Sequence, residues 1–125
     1  MVKSFVTVII TFLILVGGAI YEQIYIDKAF DGLKEEFSEI YEKIDDESIT
    51  NEEILSAQEK WIDEKHKLHA FIPHNEIKEL DLWIAEAVYY VDIQDYEEAQ
   101  GKVSVAIELL EQIPRTFAVT FENVF

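Results

Sequence analysis

The chain has 125 residues, with 26 Asp and Glu against 10 Lys and Arg, and its formal net charge is −16. All the acidic residues follow residue 21, and so acidic a segment does not bind nucleic acid or anionic headgroups through charge. The absence of cysteine excludes a disulfide framework and thiol chemistry. We therefore expect partners that are cationic, or protein surfaces that are met through apolar contacts.

An uncharged run of 18 residues, SFVTVIITFLILVGGAIY, occupies positions 4–21. As a helix it rises about 27 Å, close to the hydrocarbon thickness of about 30 Å in a bilayer, so it predicts one transmembrane span. A cleaved secretory signal is the alternative, because Lys3 precedes the run and residues 17–19 are small. We favour a retained anchor, since the apolar run exceeds the roughly 7 to 15 residues of a signal peptide.

The charges that flank the run predict its orientation. Lys3 and the amino terminus precede it, whereas Glu22 and Asp27 follow it, and basic flanks stay cytoplasmic. We expect residues 1–21 to form a cell-membrane anchor with a cytoplasmic N-terminus. Residues 22–125 then form an acidic extracytoplasmic domain of a single-pass protein.

One face of this span carries small and hydroxylated residues. Ser4, Thr7, Thr11 and Gly18 recur at intervals of 3, 4 and 7 residues. Such a face lets a second membrane helix approach closely, so we predict contact with another copy or another membrane protein. The alternative is that each hydroxyl bonds back to its own helix.

Helical periodicity continues beyond the span. A first apolar series predicts that the helix extends to a polar break at residues 45–48. Thr50 and Glu53 form a capping box that predicts a second helix, and Pro73 ends it. The first series is Phe30, Leu33, Phe37, Ile40 and Ile44, and the second is Ile54, Ala57, Trp61, Leu68 and Phe71 or Ile72.

Two more helices are predicted in the same way. Asn75 is the expected N-cap of the third, and Asp95 with Glu98 forms a capping box for the fourth. Their apolar series are Ile77, Leu80, Ile84, Ala87 and Val91, then Ala99, Val103, Ala106, Leu110 and Ile113 before Pro114. Residues 115–125 fit either a resumed helix, through Phe117, Phe121 and Val124, or a short strand.

Short connections between long amphipathic helices favour antiparallel neighbours. The predicted fold is therefore all-α. An N-terminal transmembrane helix continues into an up-down antiparallel bundle of about four helices.

Residues able to carry chemistry are few. His66, His69 and His74 cluster near the end of the second helix, but zinc needs roughly three or four convergent ligands and only two of them share a helical face. We therefore interpret the histidines as solvated or structural. The chain has no glycine-rich phosphate loop, nucleophile elbow or zinc-protease helix, so we expect no enzymatic activity, no cofactor and no metal.

Four aromatic residues, Trp61, Trp83, Tyr89 and Tyr90, have two interpretations. Aromatic residues at helical spacing form a core, or they line a site for a small ligand between helices. The second interpretation would make the domain an extracytoplasmic sensor or ligand-binding bundle. We favour a structural or interaction protein that docks onto a protein partner or self-associates.

Several segments carry a resemblance that spans nearly the whole chain. They are the N-terminal span, residues 61–66 (WIDEKH), residues 95–99 (DYEEA) and the closing residues 122–125 (ENVF). In these features the chain resembles an uncharacterised domain-of-unknown-function family of small, singly membrane-anchored helical proteins from Gram-positive bacteria. The resemblance implies a bacterial membrane protein. It implies no activity and no functional residues.

Overall fold

A computed structural model describes residues 2–70 and 72–124, and the side chains of residues 2–70 and 72–116. Within these residues the chain forms four helices and no strand, which confirms the all-α prediction. The helices are α1 (Val2–Asp45), α2 (Asn51–Leu68), α3 (His74–Asp92) and α4 (Tyr96–Val124).

The helices form an antiparallel bundle. Both α1 and α3 pack against α2 and against α4. Lys43 pairs with Glu53 and Glu36 with Lys60, so residue numbers rise along α2 as they fall along α1. Pairs between α2 and α3 and between α1 and α4 reverse in the same way. The predicted up-down topology is confirmed.

The core lies where the apolar series predicted it. Every predicted seam residue is buried, apart from Phe71, which lies outside the described residues. Ile72, the alternative to Phe71, is also buried. Ile26 is the first buried residue of α1, and the helix before it projects beyond the core. The bundle therefore begins a short distance after the apolar N-terminal segment ends.

The predicted caps of α2 and α4 are present. The Thr50 hydroxyl accepts a hydrogen bond from the Glu53 N–H at 3.2 Å, and Asp95 Oδ1 accepts one from the Glu98 N–H at 3.3 Å. The Glu53 carboxylate in turn accepts from the Thr50 hydroxyl at 3.0 Å and from the Lys43 ammonium. The start of α2 is thus tied to α1 as well as capped.

The prediction that Asn75 caps α3 is wrong. The helix begins at His74, and Pro73 occupies the N-cap without a side-chain cap bond. The Pro73 carbonyl accepts from the N–H of Ile77 at 3.3 Å and opens the helical ladder. A proline suits this place because the first helical turn needs no N–H donor and Pro73 already has a φ of −55°.

Pro114 lies inside α4, so of the two conformations predicted for the tail the helix is confirmed. The helix continues through it to Val124, so the tail is helical and not a strand. Proline removes the N–H that would bond to the Leu110 carbonyl, but Leu110 and Ile113 are buried just before it. This tertiary packing outweighs the lost bond, because packing of an amphipathic face provides most helical stability. The side chains of residues 117–124, and all of Phe125, lie outside the described part of the chain.

Candidate functional site

A groove of about 300 Å³ runs between α2 and α3 on the surface of the bundle. At one end of the groove the first residue of α2 meets the last residue of α3: Asn51 Nδ2 donates a hydrogen bond to Asp92 Oδ1 at 3.2 Å. Leu55 and Tyr89 form its exposed walls and are 45% and 58% exposed. The remaining lining residues are apolar side chains of the same two helices, Ile54, Ala85 and Val88.

Beyond the groove, each of the two helices carries one more exposed large apolar residue. Ile62 lies two turns after Leu55, and Leu82 lies two turns before Tyr89. Both are exposed, Leu82 by 55%. Because α2 and α3 are antiparallel and Trp61 of α2 contacts Asp81 of α3, Ile62 and Leu82 lie at the same level of the bundle. We call the combined surface the outer strip: Leu55, Ile62, Leu82, Ala85, Val88 and Tyr89.

The outer strip differs from ordinary surface composition. Single exposed apolar residues are common on soluble domains and need no explanation. Four exposed large apolar residues on two neighbouring helices make the strip a candidate binding surface. The strip borders the buried seams that hold the bundle together: the seam residue Ile54 lines the groove, and Val88 packs against the core.

Trp61 lies beneath this surface, in the core, and is 1% exposed. Its indole N–H donates to Asp81 Oδ1 at 2.7 Å, and Lys65 Nζ lies 3.2 Å from the other oxygen of that carboxylate. The buried indole is thereby satisfied, and α2 is joined to α3. This contact fixes the register that aligns the two halves of the outer strip.

Trp83 and Tyr90 lie on the side of α3 that faces α4. The Lys102 ammonium of α4 lies 4.9 Å from the Trp83 ring centroid and 5.8 Å from that of Tyr90. The same ammonium lies 3.3 Å from a Glu86 carboxylate oxygen. A cation over the faces of two aromatic rings is an attractive contact, so these rings are already covered by the chain's own lysine.

Tyr89 packs edge-on against Tyr90, with ring centroids 5.3 Å apart, and lines the groove on its other side. The four predicted aromatics thus have three different surroundings. Trp61 is in the core, Trp83 and Tyr90 hold Lys102, and Tyr89 belongs to the outer strip.

The predicted contact face of the span lies on α1 before the bundle begins. Ser4, Thr7, Thr11 and Gly18 are all exposed there. The Thr7 hydroxyl donates to the Lys3 carbonyl at 2.8 Å, which is the intrahelical bond of the alternative interpretation. At Gly18 no atom lies within 4 Å of the place a Cβ would take, so this face is open. By length and composition, α1 is able to cross a membrane.

The histidines are near one another without forming a ligand set. The rings of His69 and His74 meet edge-on, with centroids 6.0 Å apart. Across residues 2–70 and 72–116, no group of three or more His, Asp or Glu side chains is arranged to hold a metal ion.

Two carboxylates have shifted pKa values. Hydrogen bonds from Lys43 and then from the Thr50 hydroxyl hold the pKa of Glu53 below its usual value. The bond to Glu53 raises the pKa of Lys43 in turn. Partial burial, with Glu79 nearby, raises the pKa of Glu76 in the first turn of α3.

Charge is distributed unevenly along the bundle. We call residues 34–59 and 83–107 the distal half, because they lie farthest from the apolar N-terminal segment; they include 15 acidic and 3 basic residues. The other half, residues 22–33, 60–82 and 108–124, includes 11 acidic and 6 basic residues and all three histidines. The groove belongs to the distal half, where the acidic excess is largest.

Our reading of the sequence missed the outer strip. Its signal is a second apolar spacing beside each seam: Leu55 and Ile62 are seven residues apart, and so are Leu82 and Tyr89. Seven residues make two helical turns, so each pair lies on one face. This second spacing is shorter and less regular than the seams.

A search of curated proteins and a search of solved structures each found no match. A family model, described as a domain of unknown function (DUF4363), matches residues 20–124 and so covers the four-helix bundle. The chain belongs to this family, the domain of unknown function DUF4363.

Proposed function

We propose that this chain is a membrane-anchored interaction protein whose acidic helical bundle docks onto a protein partner. The outer strip is the observation that supports this most directly. It presents four large apolar side chains, each more than a third exposed, on two helices whose cores are already complete: Leu55, Ile62, Leu82 and Tyr89.

The anchor is the first 21 residues. The apolar part of α1 is exposed along its length, as expected of a helix whose surroundings are lipid. The family match begins at residue 20, close to where α1 starts to enter the bundle, and this supports a division into an anchor and a bundle. With Lys3 before the span and Glu22 after it, the N-terminus is cytoplasmic and the bundle lies outside the cell membrane, in a bacterium as the family resemblance implies.

A sensor that binds a small ligand among the four aromatics is the less supported function. Trp61 is buried and its polar atom is satisfied by Asp81. Trp83 and Tyr90 already hold Lys102. The apolar surface left open is long and shallow, and such a surface fits a macromolecule better than an enclosed small molecule.

Site-specific photo-cross-linking in native membranes tests the docking function. A photoreactive residue at Leu55 or Tyr89 of the full chain should give one reproducible protein adduct. The same residue at exposed Ser104 on α4 is the matched control and should not give it. The adduct should disappear when Leu82→Ser is added. Absence of an adduct from both strip positions would contradict the docking function.

A further inference from the structure

We infer that the outer strip receives a basic amphipathic helix of the partner protein. This inference rests on the proposed docking function and adds the chemistry of the partner. It follows from the shape of the strip, from the acidic residues within it and from the pairing of nearby lysines.

The shape of the strip fits a helix. Its floor is the seam between two antiparallel helices, and its apolar walls repeat every two turns on each of them. Seven residues span about 10 Å of helix axis, which matches an i, i+7 pair of apolar anchors on a third helix. Helices that bind in such grooves use anchors at i, i+3, i+4 and i+7.

Acidic residues alternate with the apolar ones along the same exposed faces. On α2, Glu52 and Glu59 lie at helical spacing from Leu55 and Ile62, and both glutamates are exposed. On α3, Glu79 precedes Leu82 by three residues and is also exposed. Asp92 is exposed at the end of the groove. A helix that lies in the strip therefore meets carboxylates on both of its flanks.

The basic residues of the distal half do not offset these carboxylates. Lys34, Lys43 and Lys102 are its three basic residues, and each pairs with a carboxylate of a neighbouring helix. The other half contributes His66 and Lys78 at the far end of the strip, together with Lys65, whose charge is paired with Asp81. Over most of the strip the charge that remains is negative, and complementary potential favours a basic partner.

The same charges oppose a second copy of this chain. Each copy has a formal charge of −16. Pairing two strips would bring Glu52 and Glu59 of one copy against the acidic residues of the other. Like charges placed opposite each other at an interface are destabilising. The inferred occupant is therefore a different protein.

A pair of synthetic helical peptides tests this chemistry on the full-length protein in an uncharged detergent. Both peptides have leucine at heptad-spaced positions; the other positions are lysine in one peptide and glutamate in the second. Fluorescence polarisation should detect binding of the lysine peptide and none of the glutamate peptide. Leu55→Ser with Leu82→Ser should weaken binding at least tenfold. Glu52→Gln with Glu59→Gln should weaken it several-fold and reduce its salt dependence, because fewer ion contacts are screened.

The control variant is Glu35→Gln with Glu42→Gln, which removes two exposed carboxylates of α1 away from the strip. It should change binding less than twofold. Circular dichroism checks that each variant keeps the helical content of the parent. The inference would be overturned if the control variant lost as much peptide affinity as Glu52→Gln with Glu59→Gln. It would also be overturned if Leu55→Ser with Leu82→Ser lost none.

The outcomes separate this inference from the docking function. A cross-link at Leu55 in membranes together with no peptide binding leaves the docking function standing and overturns the basic partner. Peptide binding without any cross-link supports the chemistry of the strip and contradicts docking. A concentration-dependent dimer that Leu55→Ser with Leu82→Ser abolishes would overturn the inference in favour of a second copy.

Discussion

Asp81 connects the exposed surface of the bundle to its core. Its carboxylate accepts from the buried indole of Trp61 and lies in ion-pair contact with Lys65. Both charged side chains are partly exposed, so the ion pair alone contributes little to stability. The hydrogen bond to Trp61 matters more, because a buried donor without a partner is costly.

We predict that Asp81→Ala lowers the free energy of unfolding by about 1 to 3 kcal/mol, since it leaves the Trp61 N–H without an acceptor. Asp81→Asn keeps an acceptor oxygen, so it should lower the free energy of unfolding by clearly less. Chemical unfolding of the full-length protein, followed by tryptophan fluorescence, measures both. Equal losses for the two variants would mean that charge, and not the indole bond, is the main contribution.

Glu53 gives a pH-dependent prediction. Its pKa is lower in the folded protein than its ordinary value of 4.5, so its ionised form stabilises the fold above that pH. This contribution is lost as the pH falls through the lowered pKa. Glu53→Gln should therefore lower the Tm at pH 7 and lose its effect in acid, below the lowered pKa.

Thermal melts by circular dichroism between pH 3 and pH 7 follow this difference. Glu35→Gln, at an exposed position of α1 outside the cap, is the control. A Tm difference between Glu53→Gln and the parent that stays constant down to pH 3 would contradict the assignment.

Each helix of the bundle carries a buried seam. In addition, α2 carries one side of the outer strip and α3 carries the other. On α3 the two faces are close in sequence: Leu80 is 0% exposed and Leu82 is 55% exposed. Leucine therefore has two roles on α3, and the direction in which its side chain leaves the helix axis decides between them. Removing the Leu80 side chain should lower stability, and removing the Leu82 side chain should weaken binding.

We predict that Leu80→Ala, or Ile84→Ala, lowers the free energy of unfolding by about 2 to 5 kcal/mol, as expected for large-to-small changes in a core. Leu82→Ala is the matched control and should change it by less than about 0.5 kcal/mol, as is usual for surface sites. Equilibrium unfolding by urea gives these values. A control as damaging as Leu80→Ala would mean that the strip is part of the core.

On the scale of the whole molecule, two apolar surfaces differ in composition. The N-terminal part of α1 is uniformly apolar and suits lipid, whereas the outer strip is apolar in part and interleaved with carboxylates, which suits a protein in water. The acidic excess increases from the half of the bundle next to the anchor to the distal half. The groove, which belongs to the distal half, therefore lies in the most negative part of the bundle.

We predict that the bundle is extracytoplasmic and that the span is retained. Alkaline phosphatase fused after Phe125 should be active in a bacterial host, and a fluorescent protein that folds only in the cytoplasm should stay dark at the same place, because Lys3 keeps the N-terminus inside. The intact mass of the membrane-extracted protein should include the span. A mature chain that begins at Ile20 would contradict retention.

The sequence by itself determined the helices and their seams. Spacing of three and four residues is a local property, so Ile77 to Val91 and Ala99 to Ile113 could be assigned to one face without knowledge of their neighbours. The caps at Thr50 and Asp95 were predictable for the same reason, since a capping side chain bonds within its own turn.

Only the tertiary structure decided the features that depend on neighbouring helices. Pro114 stays within α4 because packing before it outweighs a local stop signal. The outer strip joins Leu55 of α2 to Tyr89 of α3, which are 34 residues apart, through a register fixed by Trp61 and Asp81. Spacing within a helix cannot show which faces of two helices become adjacent, because burial of all four seams at once determines it.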